Sequence, residues 1–306
     1  MMTSFPRGIG PDLGSAAPEL TAWFGRSGRR LPWRQPPSPG PAPHGWGVLV
    51  SEVMLQQTQV DRVIPAWTAW MERWPQPADL AAAEPADVIR AWGRLGYPRR
   101  ALRLQSAATV IAEAHGGLVP DDRDALLALP GIGEYTAGAV LAFAYGHPEL
   151  ALDTNVRRVI ARHDMGIDRP RASVTVAERE RARALQATTD GAAWMAALME
   201  LGALICTSRS PACDVCPVSA GCRWLAAGRP ETAPSRRQPT YTGSDRQARG
   251  ALLSVLREAD RPVTQRALDL AWPDAQQRTR ALDSLVADGL VMPASRGRWA
   301  LPGTSR

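Results

Sequence analysis

An all-α chain with a small helix-and-hairpin module at its C-terminal end is what the sequence predicts, and three observations carry that prediction. From about residue 18 to 205, apolar residues recur at intervals of three and four, broken by Pro and Gly, with no convincing alternating run. All four cysteines then fall in one short stretch. From residue 246 onward, three helical patterns lead into two short apolar runs on either side of "ASRGR".

Each element has its own signal. Residues 1–17 are rich in Gly, Pro and Ser and are expected to form a disordered tail. "APELTAWF", "WGVLVSEVMLQQT", "PADVIRAWGRL", "RRALRLQSAATVIAEAHGG" and "AAWMAALMELGALIC" are the clearest helices, and "PPSPGPAPHG" at 36–45 is a stiff loop. A helical domain over 18–205, a cysteine loop over 206–227, a linker over 228–245 and a module over 246–306 follow. Helix, helix, helix, hairpin is the order of a winged helix-turn-helix. Ten Arg against six Asp or Glu give this module a net charge of +4. Such modules bind DNA in many proteins and serve only protein contacts in others.

The totals exclude several classes. A length of 306 residues predicts two domains, and a net charge of +6 favours polyanionic partners. No residue is lysine, so all 36 basic residues are arginine and Schiff-base catalysis by a side-chain amine is excluded. No segment approaches the roughly 20 apolar residues of a membrane span, and the N-terminal stretch has no apolar signal core, so a cytoplasmic protein is expected.

The cysteines, Cys206, Cys213, Cys216 and Cys222, are spaced C-x6-C-x2-C-x5-C with none left over. Without a secretion signal, disulfides give way to a four-thiolate metal site. Structural zinc usually takes two close cysteine pairs, whereas here one pair is flanked by solitary thiolates. That spread favours a [4Fe-4S] cluster, with zinc the alternative.

Two further stretches carry chemistry. In "SEVMLQQTQV", Glu52 is the only ionisable residue between His44 and Asp61 and lies on the same helical stripe as Val48 and Leu55. A carboxyl buried there favours its protonated form and suits a proton donor; a structurally satisfied buried Glu is the alternative. In "LALPGIGEYTAGAVLAFAYG", Pro130, Gly131 and Gly133 make a tight turn between two helices, whose amides can approach a phosphate diester. Downstream, Asp153 in "ALDTNVRRVIAR" is placed to cap the next helix, to present a carboxylate, or both.

Hairpin, aspartate and cysteine spacing together resemble the helix-hairpin-helix DNA glycosylases that carry an iron-sulfur cluster, over residues 18–226. Within them the endonuclease III branch has a catalytic lysine where this chain has Tyr135, whereas "LPW" at 31–33 and "SEVMLQQTQV" at 51–60 resemble the MutY-type adenine glycosylases. The resemblance implies a two-lobed, all-α helix-hairpin-helix glycosylase fold with an iron-sulfur loop. It implies a monofunctional enzyme that excises adenine opposite 8-oxoguanine or guanine in double-stranded DNA, a monomer associated with the nucleoid of a bacterium. It makes Glu52 the general acid and Asp153 the carboxylate facing the sugar cation, supported by Tyr135 and Asn155. Gly131 and Gly133 would hold the DNA backbone, Tyr97 would be the wedge in the base stack, and Gln57, Thr58 and Leu95 would lie beside the opposite base. Arg29, Leu31, Trp33, Arg34, Leu55 and Val60 would form the purine pocket. Adenine leaves poorly as an anion, so a donor acid for a ring nitrogen, most plausibly N7, and an ionised carboxylate beside the sugar answer separate needs.

Three positions depart from the family's pattern. Ala196 stands where relatives carry Gln or Glu near the adenine edge, with Glu200 or water as the available substitutes, and Pro98 replaces the second Tyr of Gly-Tyr-Tyr. The C-terminal module takes the place of a nudix-like domain that reads 8-oxoguanine. The competing readings are a pyrimidine glycosylase and lyase of the endonuclease III type, disfavoured by the missing lysine, and a non-catalytic iron-sulfur DNA-binding protein, for which Glu52 and Asp153 would have no use.

Overall fold

The computed structural model describes residues 10–34, 44–231 and 240–304. Fifteen α-helices lie among them: α1 (Ala17–Ser27), α2 (His44–Leu55), α3 (Val60–Arg73), α4 (Pro77–Ala81), α5 (Pro85–Trp92), α6 (Arg99–Ala114), α7 (Arg123–Ala128), α8 (Glu134–Tyr145), α9 (Thr154–His163), α10 (Val176–Gln186), α11 (Gly191–Leu204), α12 (Arg223–Ala226), α13 (Asp245–Glu258), α14 (Gln265–Ala271) and α15 (Ala275–Ala287). Three short strands, β1 (Val263–Thr264), β2 (Met292–Ala294) and β3 (Arg298–Ala300), complete the set. The chain divides into two compact units, one of residues 1–36, 121–127 and 132–236, the other of residues 37–120, 128–131 and 237–306. The expected helical, two-lobed class is what is found.

The first unit is built around α11. Its sequence is apolar nearly all round, and such a helix is stable only when surrounded. Trp194, Leu198 and Leu201 pack with Leu20, Val156, Ile160 and Leu185. Leu13 is fully buried in the same core, and its carbonyl accepts the Trp194 indole N–H at 3.1 Å. Of the expected disordered tail, residues 1–9 lie outside the described residues, but residues 10–17 do not behave as a tail. The single apolar Leu13 and the small Ala16 and Ala17 fill core space, which the surrounding Gly and Pro disguise in the composition.

In the second unit, α2 to α6 enclose Trp46, Trp70, Trp74 and Trp92. Trp70 meets Trp74 and Trp92 edge-on at centroid distances of 4.6 and 5.6 Å, the geometry that the ring quadrupoles favour. The C-terminal module belongs to this unit. Its sheet has the antiparallel order β1-β3-β2, with Val263 and Pro293 both opposite Trp299, and strand β1 is too short for its periodicity to show in the sequence. Ala86 and Ile89 of α5 share one core with Leu252, Leu256, Leu285 and Leu290 of the module. Arg257 donates to the Ile89 carbonyl at 3.1 Å and Arg90 to the Ala259 carbonyl at 2.9 Å. The module is therefore docked on α5. Residues 232–239 of the expected linker and residues 36–43 of the expected Pro-rich loop lie outside the described residues.

Candidate active site and iron-sulfur loop

Asp153 caps α9. Its Oδ1 accepts the backbone N–H of Asn155 at 2.9 Å and of Val156 at 2.7 Å, and its Oδ2 accepts Asn155 Nδ2 at 2.7 Å. Burial raises its pKa above the ordinary aspartate value, and the three donors and nearby Arg158 oppose that rise. Of the two roles expected of this carboxylate, the capping is what these hydrogen bonds show. Asn155 Oδ1 in turn accepts from Arg158 Nη2 at 2.7 Å, and Arg158 donates onward to the carbonyls of Gly202 (2.6 Å) and Cys206 (2.7 Å). Tyr135 and Leu152 line a cavity of about 490 Å³ together with Glu134, Arg179 and Arg183.

Two of the expected purine-pocket residues are engaged by Glu200. Its fully buried carboxylate accepts Arg29 N at 2.8 Å, Arg29 Nε at 2.7 Å, Arg29 Nη2 at 3.0 Å and Arg34 Nη2 at 2.9 Å. Burial alone would raise its pKa, but the Arg29 hydrogen bonds and the Arg34 charge outweigh burial and hold it at about 2. Leu31 and Trp33 are buried beside these arginines in the chain, and Ala196 lies half-buried on α11. A sequence separation of 171 and 166 residues hid the Glu200 partnership.

In the second unit Glu52 sits on α2 with 3% exposure. Leu55 ends that helix and Val60 begins α3. Between them Gln57 takes a left-handed backbone (φ 55°), as does Tyr97 (φ 45°), and for non-glycine residues this conformation is strained. The strain is held by Arg100, which sequence reasoning missed. Its guanidinium donates to the carbonyls of Val53 (2.6 Å), Met54 (3.1 Å), Leu95 (3.4 Å) and Gly96 (3.0 Å) and to Thr58 Oγ1 (3.2 Å). Burial lowers its pKa to about 10, so it stays charged at neutral pH. Thr58 also donates to the Leu95 carbonyl at 3.1 Å. Gln57, Thr58, Leu95 and Tyr97 are thereby gathered on one frame, with Tyr97 exposed and Leu95 buried.

The hairpin joins α7 to α8. Gly131 is left-handed (φ 80°), and a Cβ there would come within 2.9 Å of Arg103 Cβ, so two independent constraints exclude a side chain. Gly133 is extended and caps α8, so its place is open to other residues on backbone grounds.

None of the four cysteines forms a disulfide, and all four line one pocket with Ile205, Pro211 and Trp224. Among the described residues no three His, Cys, Asp or Glu side chains converge on a point that would hold a single ion. Four thiols around one pocket suit the four corners of a cubane cluster. Burial, then the neighbouring cysteines, push Cys216 up to about 12, so ionised sulfurs need metal charge beside them. Arg162 braces the loop, stacking 4.4 Å over Trp224 and donating to the Thr207 carbonyl at 2.7 Å and Cys206 Sγ at 3.6 Å.

Comparison with known proteins defines the class first. A model described as HhH-GPD superfamily base excision DNA repair protein matches residues 50–184, and one described as the iron-sulfur binding domain of endonuclease III matches residues 206–222. A thermostable thymine-DNA glycosylase shares the fold with a TM-score of 0.60 and 24% identity, over 69% of this chain and 95% of that one. A trapped endonuclease III–DNA covalent intermediate does so with a TM-score of 0.58 and 24% identity, over 70% and 95%. The adenine DNA glycosylase of Mycolicibacterium smegmatis is 51% identical over 93% of this chain and 95% of its own length. That of Mycobacterium tuberculosis is 51% identical over 93% and 92%. The human one is 40% identical over 67% of this chain and 38% of its own. The chain belongs to the adenine DNA glycosylase family, and its cofactor is a [4Fe-4S] cluster. No helix among the described residues is long and apolar enough to cross a membrane.

Proposed function

We infer that this chain is a monofunctional DNA glycosylase that removes adenine mispaired with 8-oxoguanine or guanine, acting as a cytoplasmic monomer on nucleoid DNA. Carrying this reading is the contrast between a carboxyl shut from water at position 52 and a carboxylate at 153 held by three donors. The chain is 51% identical to adenine DNA glycosylases, which supports it. Glu52 hands a proton to the extruded adenine, at N7, so the base leaves neutral, and the resulting carboxylate then takes a proton from the attacking water. Asp153, aligned at the N-terminus of α9, stabilises the positive charge that develops on the sugar. Asn155 keeps the Asp153 Oδ2 oriented, and Tyr135 supports the same region from α8.

Extrusion costs a few kcal/mol, less at a mispair. Tyr97 occupies the vacated step, beside Gln57, Thr58 and Leu95, while the hairpin amides around Gly131 and Gly133 hold the backbone. Arg29, Leu31, Trp33, Arg34, Leu55 and Val60 shape the purine pocket, with Glu200 fixing the two arginines. The [4Fe-4S] cluster, held by Cys206, Cys213, Cys216 and Cys222, supplies cross-linking of the loop that carries Arg209 and Arg223.

The test is Glu52→Gln on a duplex with one central A:8-oxoG pair, scored as alkali-labile sites. Excision should fall about 10²–10⁴-fold, the range of general acid catalysis, and retained activity would move the acid elsewhere. Single-turnover rates on A:8-oxoG and A:G duplexes should favour the former, and equal rates would remove 8-oxoguanine from the reading.

A further inference from the structure

The C-terminal module reaches the wedge. A pocket of about 290 Å³ is lined by Gln56, Gln57, Tyr97, Arg99, Arg100 and Arg103 of the helical part and by Arg249 and Asp288 of the module. With Arg100 spent on its five acceptors, the guanidiniums of Arg99, Arg103 and Arg249 face one carboxylate there. Asp288 is already committed, pairing with Arg99 at 3.0 Å and Arg249 at 2.6 Å, and each arginine keeps further N–H groups. Arg103 pairs with no carboxylate among the described residues.

Just outside the pocket, exposed Arg246 of α13 lies 5.4 Å over the Tyr97 ring and 6.0 Å over Tyr241, and it likewise pairs with no carboxylate among the described residues. These groups are fixed with respect to Tyr97, because α13 shares the core of α5 and is tied to it through Arg257. Gln57 and Tyr97, two of the four non-glycine residues with positive φ among those described, both face this space.

We propose that this pocket is a DNA phosphate site in which Arg246 and Arg249 of the C-terminal module grip the backbone at the base step that Tyr97 enters. Surplus forked guanidiniums beside an exposed aromatic ring match a phosphodiester flanking an opened base step, where planar two-pronged donation and stacking act together. The module then adds affinity at the wedge, and the strain at Gln57 and Tyr97 orients side chains toward the same strand. This inference rests on the chain acting on duplex DNA as proposed above.

The experiment uses the full-length protein and a duplex with 2′-fluoro-2′-deoxyadenosine opposite 8-oxoguanine, which resists cleavage, with binding followed by fluorescence anisotropy across a salt series. Arg246→Ala together with Arg249→Ala should weaken binding at least about 10-fold and lower the slope of log affinity against log salt by about 1, one phosphate contact. Arg246→Ala alone, which breaks no ion pair among the described residues, should give a smaller loss in the same direction. Arg296→Ala, which removes an exposed charge elsewhere in the module, should leave the slope unchanged.

An unaltered slope in the double variant, or an equal fall in Arg296→Ala, would overturn the proposal. Excision by the wild type from the natural A:8-oxoG duplex separates the two readings. Normal excision with an unaltered slope sinks the phosphate site alone, and no excision with a lowered slope sinks the glycosylase reading alone.

Discussion

Asp153 and Glu200 stand in the same unit and are solved in opposite ways. Glu200 is fully buried, gathers two guanidiniums and sits at about 2, below any ordinary glutamate. Asp153 is given backbone and amide donors without a paired guanidinium, and burial leaves it above the ordinary aspartate value. The first arrangement spends the charge on structure. The second leaves a carboxylate with uncancelled charge, at some expense to the fold, which is what the role proposed for it beside a cationic sugar requires. A stability–activity conflict is expected at such a residue and not at its ion-paired neighbour.

The largest effect should come from Asp153→Asn. Asparagine caps a helix as well as aspartate does, so the melting temperature should hold or rise, while single-turnover excision falls about 10³-fold. A fall in stability as large as that in activity would erase the distinction. Glu200→Gln should do the reverse. Two half-buried guanidiniums lose their counter-charge, and denaturant unfolding should show a loss of about 2–3 kcal/mol, below the range for a fully buried pair, with an unchanged m-value.

Acid titration sharpens the contrast. The Glu200 pKa is about 2 when folded and 4.5 unperturbed, so its contribution is complete above roughly pH 4.5 and disappears as pH falls toward 2. The stability curves of the wild type and Glu200→Gln should therefore converge over that interval. Asp153 has the opposite sign. Its folded pKa lies above 3.8, so its anion costs stability at neutral pH and the cost lifts as pH falls through the folded value. Asp153→Asn should accordingly gain on the wild type as pH rises from 3.8 through the folded value. The smallest change expected is from Asn155→Ala, which removes one of three donors to Asp153. Excision should drop about 10-fold, near 1.4 kcal/mol, with substrate affinity unaltered.

Legibility followed sequence distance. The cysteine spacing, the lone carboxylate on the α2 stripe, the glycine turn and the Asp153 cap are local patterns, and each could be read from a window of about twenty residues. Glu200 was noticed only as a substitute near Ala196, because its partners Arg29 and Arg34 lie in another part of the chain. Arg100 looked like one more basic residue opening a helix. Its five acceptors, four of them backbone carbonyls, have no sequence signature. The burial of Leu13 and the docking of the module on α5 were hidden for a related reason: composition reports what a segment is made of and not what it lies against.

The single guanidinium of Arg100 also fixes how the second unit can move. The last turn of the helix that carries Glu52 and the loop that carries Tyr97 hang from one cation, so parting the two segments breaks hydrogen bonds to its guanidinium. Amide hydrogen exchange at residues 56–58 and 95–97 should therefore quicken in concert when Arg100 is changed to Leu, and the segments that carry Glu52 and Tyr97 would act as one mechanical part.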